Sequence, residues 1–151
     1  MDVSPEMAYA APNRCPGCGI EAPIEALLML GDPPCPQCQR LLWFVRKSIN
    51  DVVVLTFLPG ETSRGENIVR ADEAFSALGN AVQVVLNLSY LQSATSLFLG
   101  MLLAFRKKIA SVGGTLKVCG LTPLVAEVFH VAHFDKLFEI YPDEQAAFES
   151  F

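Results

Sequence analysis

The chain is poor in the residues and patterns that most chemistry and most membranes demand. It has two histidines in 151 residues, so the usual proton carrier at neutral pH is nearly absent. Those two, His130 and His133, lie three apart in an apolar stretch, Val128 to Phe134. Glu127 or Asp135 could add a carboxylate to them, yet no recognised ligand motif links the set, and histidines at helix ends are ordinary. No nucleophile elbow, phosphate-cradling glycine loop or dinucleotide fingerprint occurs, so the sequence does not read as an enzyme. Long apolar runs are also missing. The longest, Leu97–Phe105 with Gly100 inside it, is about half of the roughly 20 residues that a bilayer crossing needs. The start, Met1 to Glu6, lacks the basic and apolar regions of a secretion signal, and a cytoplasmic address is expected. Basic charge is short too: Lys and Arg total 11 against 16 Asp and Glu, for a net charge of −5. That balance argues against phosphate-neutralising nucleic-acid binding. The cluster Arg106-Lys107-Lys108 reads as a solvated helix face.

What the chain does have is apolar material, 52% by composition, and five cysteines. Four fall in two close pairs, Cys15-Pro16-Gly17-Cys18 and Cys35-Pro36-Gln37-Cys38. This C-x2-C…C-x2-C spacing reads as a zinc site. Two thiolates separated by two residues reach one tetrahedral ion when the backbone turns tightly, and Pro and Gly favour that turn while freeing amides to donate to sulfur. Both halves resemble the knuckles of the zinc-ribbon family. A four-thiolate site is closed, so its ion (zinc, with iron as the alternative) has a structural role. The segment from Cys15 to Trp43 is dense in Pro and Gly and too small to bury a core of its own, so it needs such a staple. The lone Cys119 ends an expected strand and reads as a small buried hydrophobe.

From Leu41 onward the texture changes. Leu41–Val45, Asp51–Leu58, Val82–Leu88, Thr115–Cys119 and Phe138–Tyr141 read as strands. Glu66–Leu78, Leu97–Ser111, Leu121–His130 and a segment starting at Pro142 read as helices. Strands alternating with helices imply crossovers and a sheet with parallel pairs. The expected organisation is a loose tail over 1–11, a four-cysteine ribbon over 12–45 and an α/β domain over 46–151.

Several segments of that domain, in order, resemble the STAS domain shared by sulfate transporters and anti-sigma-factor antagonists. Asp51 to Glu61 is similar to the strand ending in the family's Gly-Glu turn, here Gly60-Glu61. Val84-Val85-Leu86-Asn87-Leu88-Ser89 is similar to the central strand, and Gly113 to Pro123 to the glycine pair, strand and turn that follow the second helix. Phe134 to Ala147 resembles the closing strand and helix. The resemblance implies a mixed β-sheet with about four helices. In the antagonist branch the loop after the central strand carries Asp-Ser-Ser-Gly-Leu-Gly, whose first serine is phosphorylated by the anti-sigma kinase. Counted from Ser89, the aspartate falls on Thr95, that serine on Ser96, the second serine on Leu97 and the first glycine on Phe98, while Leu99 and Gly100 match.

The resemblance therefore implies a regulator that binds an anti-sigma serine kinase or a related signalling protein through Ser93, Thr95, Ser96, Leu97, Phe98, Gly60 and Glu61. Ser96 and Thr95 are the candidates for phosphorylation. Alternatives stay open at this point. Ser96 and Thr95 can simply cap a helix, and Leu97, Phe98 and Met101 can be core. The domain can be an interaction module without phosphorylation, or the ribbon can contact nucleic acid with the second domain as its regulatory handle.

Overall fold

The computed structural model describes residues 13–22, 34–39, 42–58, 78–80 and 82–151. Five strands form one sheet in the order β1 (Phe44–Ile49), β2 (Val52–Phe57), β3 (Gln83–Asn87), β4 (Thr115–Cys119) and β5 (Glu139–Tyr141). The first pair is an antiparallel hairpin closed at Ile49↔Val52, with Asn50 in the left-handed region at φ 54°. All later pairs are parallel. The sheet is thus mixed, and the STAS-like α/β class expected from the sequence holds. Three α-helices are described: α1 (Ser96–Ser111), α2 (Pro123–Val131) and α3 (Glu144–Glu149), with a 3-10 turn at Phe134–Lys136. The expected helix over 66–78 lies outside the described residues except for Leu78, which is buried.

Alternation along the strands divides the sheet into two faces. Val53, Leu55 and Phe57 of β2 join Val84 and Leu86 of β3 and Val118 of β4 on the first face, in one core with Phe98, Phe105, Val125 and Phe129 from α1 and α2. The second face carries Val52, Val54, Val85 and Cys119, covered by Ala147 of α3. The first strand differs from the sequence reading: it begins at Phe44 rather than Leu41 and continues through the polar run Arg46-Lys47-Ser48. The reason is tertiary. Lys47 is buried on the second face and its ammonium meets Glu144 of α3 at 2.9 Å, so a charge that looks like a loop signal is satisfied inside. In the same row of the sheet, Lys47↔Val54↔Val85↔Lys117, Lys117 is also buried. Its ammonium donates to Ser150 Oγ and lies 4.1 Å from the centre of the Phe151 ring.

The α1–β4 connection explains the glycine pair. Gly113 takes φ 71° and closes the helix, its amide donating to Ala110 O at 3.1 Å. A Cβ on Gly114 would run into the Val82 carbonyl and come within 2.9 Å of Ile109 Cγ2. Gly100, in contrast, lies mid-α1 with open space where its Cβ would be. Gly114→Ala is expected to lower stability by about 1–3 kcal/mol through overpacking against backbone, whereas Gly100→Ala raises it by about 0.5–1 kcal/mol through lost unfolded-state freedom. Urea midpoints of the two variants check both signs.

Candidate functional site

Two knuckles of the same design meet at the front of the chain. In the first, Gly19 N donates to Cys15 O at 3.0 Å with Gly19 at φ 81°; in the second, Gln39 N donates to Cys35 O at 3.0 Å with Gln39 at φ 62°. These tight turns aim both thiols of each pair at one point. Cys15 Sγ lies 3.7 Å from Cys38 Sγ, and Cys18 Sγ lies 3.5 Å from Cys35 Sγ. All four sulfurs fall within 4.8 Å of one another. A regular tetrahedron of thiolates at about 2.3 Å from one ion has edges of about 3.8 Å, so the donor set fits a single tetrahedral metal ion.

Backbone amides support the sulfurs. Gly17 N donates to Cys15 Sγ at 3.3 Å, and Gln37 N and Cys38 N donate to Cys35 Sγ at 3.4 and 3.5 Å. The Cys38 amide first of all, with Gln37 and the neighbouring thiols helping against burial, pulls the Cys35 thiol down to about 6. At Cys18 the Ile20 amide also favours the thiolate, but burial and the three surrounding thiols outweigh it and push the group up to about 11. A dication held by Cys15, Cys18, Cys35 and Cys38 would remove that conflict by favouring the thiolate form of all four. Among the described residues this is the one such group of ligands. His130 instead pairs with Asp135 at 3.0 Å and holds that carboxyl below its ordinary range. Cys119 stands apart, fully buried, its thiol pushed up to about 12 by burial and then by Glu144 and Asp143.

The knuckles are not a separate bead. Arg14 and Arg46 exchange backbone hydrogen bonds of 2.7 and 3.0 Å, which adds a one-residue strand to the free edge of β1. Cys15, Cys35 and Ala22 share a small core with Leu42, Val45 and Leu58. This junction escaped the sequence reading because nothing in the spacing of Arg14 and Arg46 signals a pairing.

The parallel register of β2, β3 and β4 delivers Leu58, Ser89 and Gly120 to one edge of the sheet, so the loop that leads to Ser93, Thr95 and Ser96 starts beside the turn after β4. Ser89 folds back on the strand end, donating from N and Oγ to Asn87 Oδ1 at 2.9 and 2.5 Å. Gly120 takes φ 74°, and a Cβ there would collide with Ser89 Oγ. Thr122 Oγ1 donates to Leu91 O at 2.9 Å and ties the next loop to this one. Thr95 is the N-cap of α1, its Oγ1 accepting from Phe98 N at 3.2 Å. Ser96 is the first residue of the helix and is exposed, as is Ser93. Leu97 is 44% exposed, but Phe98 is fully buried and Met101 nearly so. Phe98 therefore supports the loop from beneath and presents no surface. Gly60 and Glu61 lie outside the described residues. An open groove of about 480 Å³ is lined by Ser93, Ala94, Leu124, Val128 and Val131 together with Gln92 and Glu127.

A mixed five-stranded sheet with helices on its faces, preceded by a four-thiol cluster, defines an α/β domain with a cysteine-knuckle appendage. The family model of the STAS domain matches residues 45–147, and the chain belongs to the STAS family. Among solved structures it is similar to a putative anti-sigma factor antagonist from Thermotoga maritima, at 25% identity over 71% of this chain and 92% of that one, with a TM-score of 0.62. A STAS domain protein from Planctomyces limnophilus matches in fold at 23% identity, 71% and 96% coverage and a TM-score of 0.63. The Bacillus cell fate determinant SpoIIAA in its phosphorylated form does so at 15% identity, 72% and 99% coverage and a TM-score of 0.52. No helix among the described residues is long and apolar enough to cross a membrane.

Purified chain is expected to hold one tetrahedral ion per molecule, and Cys35→Ser to lose it, while Cys119→Ser keeps the full stoichiometry. Elemental analysis of the three proteins decides this. Equal metal content in wild type and Cys35→Ser would remove the site.

Proposed function

We propose that this chain is a non-catalytic regulator of the antagonist type, acting in a reducing cytoplasm. Its STAS domain, over 46–151, binds an anti-sigma serine kinase or a related signalling protein at the loop edge. The ribbon over 12–45 holds a structural zinc ion. The observation that carries this reading is the placement of Ser96: exposed and at the first position of α1, in the same loop segment as Ser93 and Ala94, which line an apolar groove. Thr95 spends its hydroxyl on the helix cap, which leaves Ser96 as the preferred acceptor of phosphate. A phosphoryl group there brings about −1.5 to −2 charges to a helix end whose amides and dipole accept anions. The domain stays folded while a partner docked on the same edge meets a desolvated charge and is expelled. Relatedness supports the reading, since SpoIIAA has a phosphorylated form.

A second reading is favoured by Leu97. The antagonist pattern has a second serine at this position, whereas this chain exposes a leucine. Docking would then be constitutive and apolar, with Gly60 and Glu61 as further candidate contacts and no phosphorylation step.

Incubation with the serine kinase that co-purifies with the native protein, plus ATP and mass mapping, separates the two. Label at Ser96 that disappears in Ser96→Ala supports the switch, and Ser96→Glu should then weaken kinase binding at least tenfold, or about 1.4 kcal/mol. Retained binding without label at Ser96 or Thr95 selects the constitutive module. If no signalling protein, kinase or otherwise, binds wild type, both fall.

A further inference from the structure

The chain crosses between two cores at two places that are hydrogen-bonded to each other. Leu42 lies in the core of the metal knuckles and its neighbour Trp43 in the main core; Leu58 lies in the knuckle core and its neighbour Phe57 in the main core. Leu58 N donates to Trp43 O at 2.9 Å. From this junction a file of rings runs inward. Trp43 and Phe57 have centroids 5.7 Å apart, and Phe57 meets Phe98 edge-on at 5.5 Å. Phe98 is in the first turn of α1, and its amide is the one that Thr95 caps. Phe98 also stands where the antagonist pattern carries a glycine, so this chain has gained a side chain at the place that completes the file.

We infer that metal occupancy of the four thiols regulates the partner-binding loop, through Trp43, Phe57 and Phe98, by setting how firmly the first turn of α1 is held. With the ion in place the knuckles fix Leu42 and Leu58, the Trp43–Phe57 pair has one position, and Phe98 is clamped beneath Thr95 and Ser96. With the ion removed the small core of Cys15, Cys35 and Ala22 loses its staple, both crossing points loosen, and the first turn frays. A ligand that orders one end of such a contiguous unit must, by linkage, be bound more tightly when the other end is ordered by a partner. The ion is then an effector of the loop as well as a staple. This rests on the reading of the four thiols as a metal site.

The test uses the full chain, stripped with a chelator and titrated with zinc. Zinc should shift the emission of Trp43, the one tryptophan in the chain. It should also slow hydrogen exchange at the Phe98 and Leu99 amides by about tenfold or more, leaving Val85 and Val118 in the central strands unchanged. Phe57→Leu keeps an apolar side chain but removes the bridging ring, so it should bind zinc fully and lose the slowing at Phe98 and Leu99. If zinc does not bind, the metal-site reading fails and takes the inference with it. If zinc binds with no change at Phe98 and Leu99, the inference alone is overturned. Should stripping release Val85 and Val118 as well, zinc-loaded wild type and zinc-loaded Phe57→Leu are compared. Faster exchange confined to Phe98 and Leu99 then supports the coupling, and equal exchange at all four amides overturns it.

Discussion

Everything in this domain depends on the parallel register of β2, β3 and β4. Parallel strands cannot be joined by a tight turn, and each crossover needs a dozen or more residues that return along the sheet. The crossover from β3 to β4 supplies α1, and that from β4 to β5 supplies α2 and the 3-10 turn. Both helices come to the first face, where the valines and leucines of the strands give them an apolar floor. The same register also sends β2, β3 and β4 out at one edge. Loops that are far apart in sequence are thereby held side by side without any loop needing stability of its own, as the Thr122–Leu91 hydrogen bond shows.

The front of the chain solves a different problem. Its described knuckles offer only Cys15, Ala22 and Cys35 as fully buried side chains, far too little apolar area to offset the entropy of ordering the backbone. The geometry supplies two remedies. Four sulfurs are arranged for an ion whose binding free energy becomes folding free energy. The knuckles also borrow Leu42, Val45 and Leu58 from the sheet and extend its β1 edge through Arg14. That edge would otherwise be an open template for another strand.

The cysteine pairs were legible because ligand chemistry is local: a turn of four residues fixes two sulfurs, and the spacing alone declares it. The strands β2, β3 and β4 were legible for a similar reason, as β-branched and leucine runs bounded by turn residues. β1 was misplaced because the decisive interaction, Lys47 with Glu144, joins residues 97 apart in sequence. A lysine in a six-residue stretch looks polar until its partner is known. The loop after β3 was half legible. A hydroxyl at the helix start could be foreseen, but not which one caps: that follows from the extended backbone of Thr95, at φ −82° and ψ 165°. Phe98 could be read as surface or core, and only the approach of Phe57 decides between them.

The two lysines of the second face divide the labour of the molecule. Glu144 of α3 and Ser150 just beyond it answer Lys47 and Lys117. Replacing Glu144 by an apolar residue removes the carboxylate that faces the buried Lys47 ammonium, and replacing Ser150 takes away the hydroxyl beside Lys117 and leaves that ammonium to the Phe151 and Tyr141 rings, a loss that costs more inside the protein than at its surface. Two positions of the last helix and its exit are thereby tied to cations that enter from the sheet. A substitution at the exposed loop residues Ser93, Ser96 or Leu97 disturbs neither acceptor, so the chemistry of the loop-bearing edge can be altered without touching the interior charges of the lysine-bearing face.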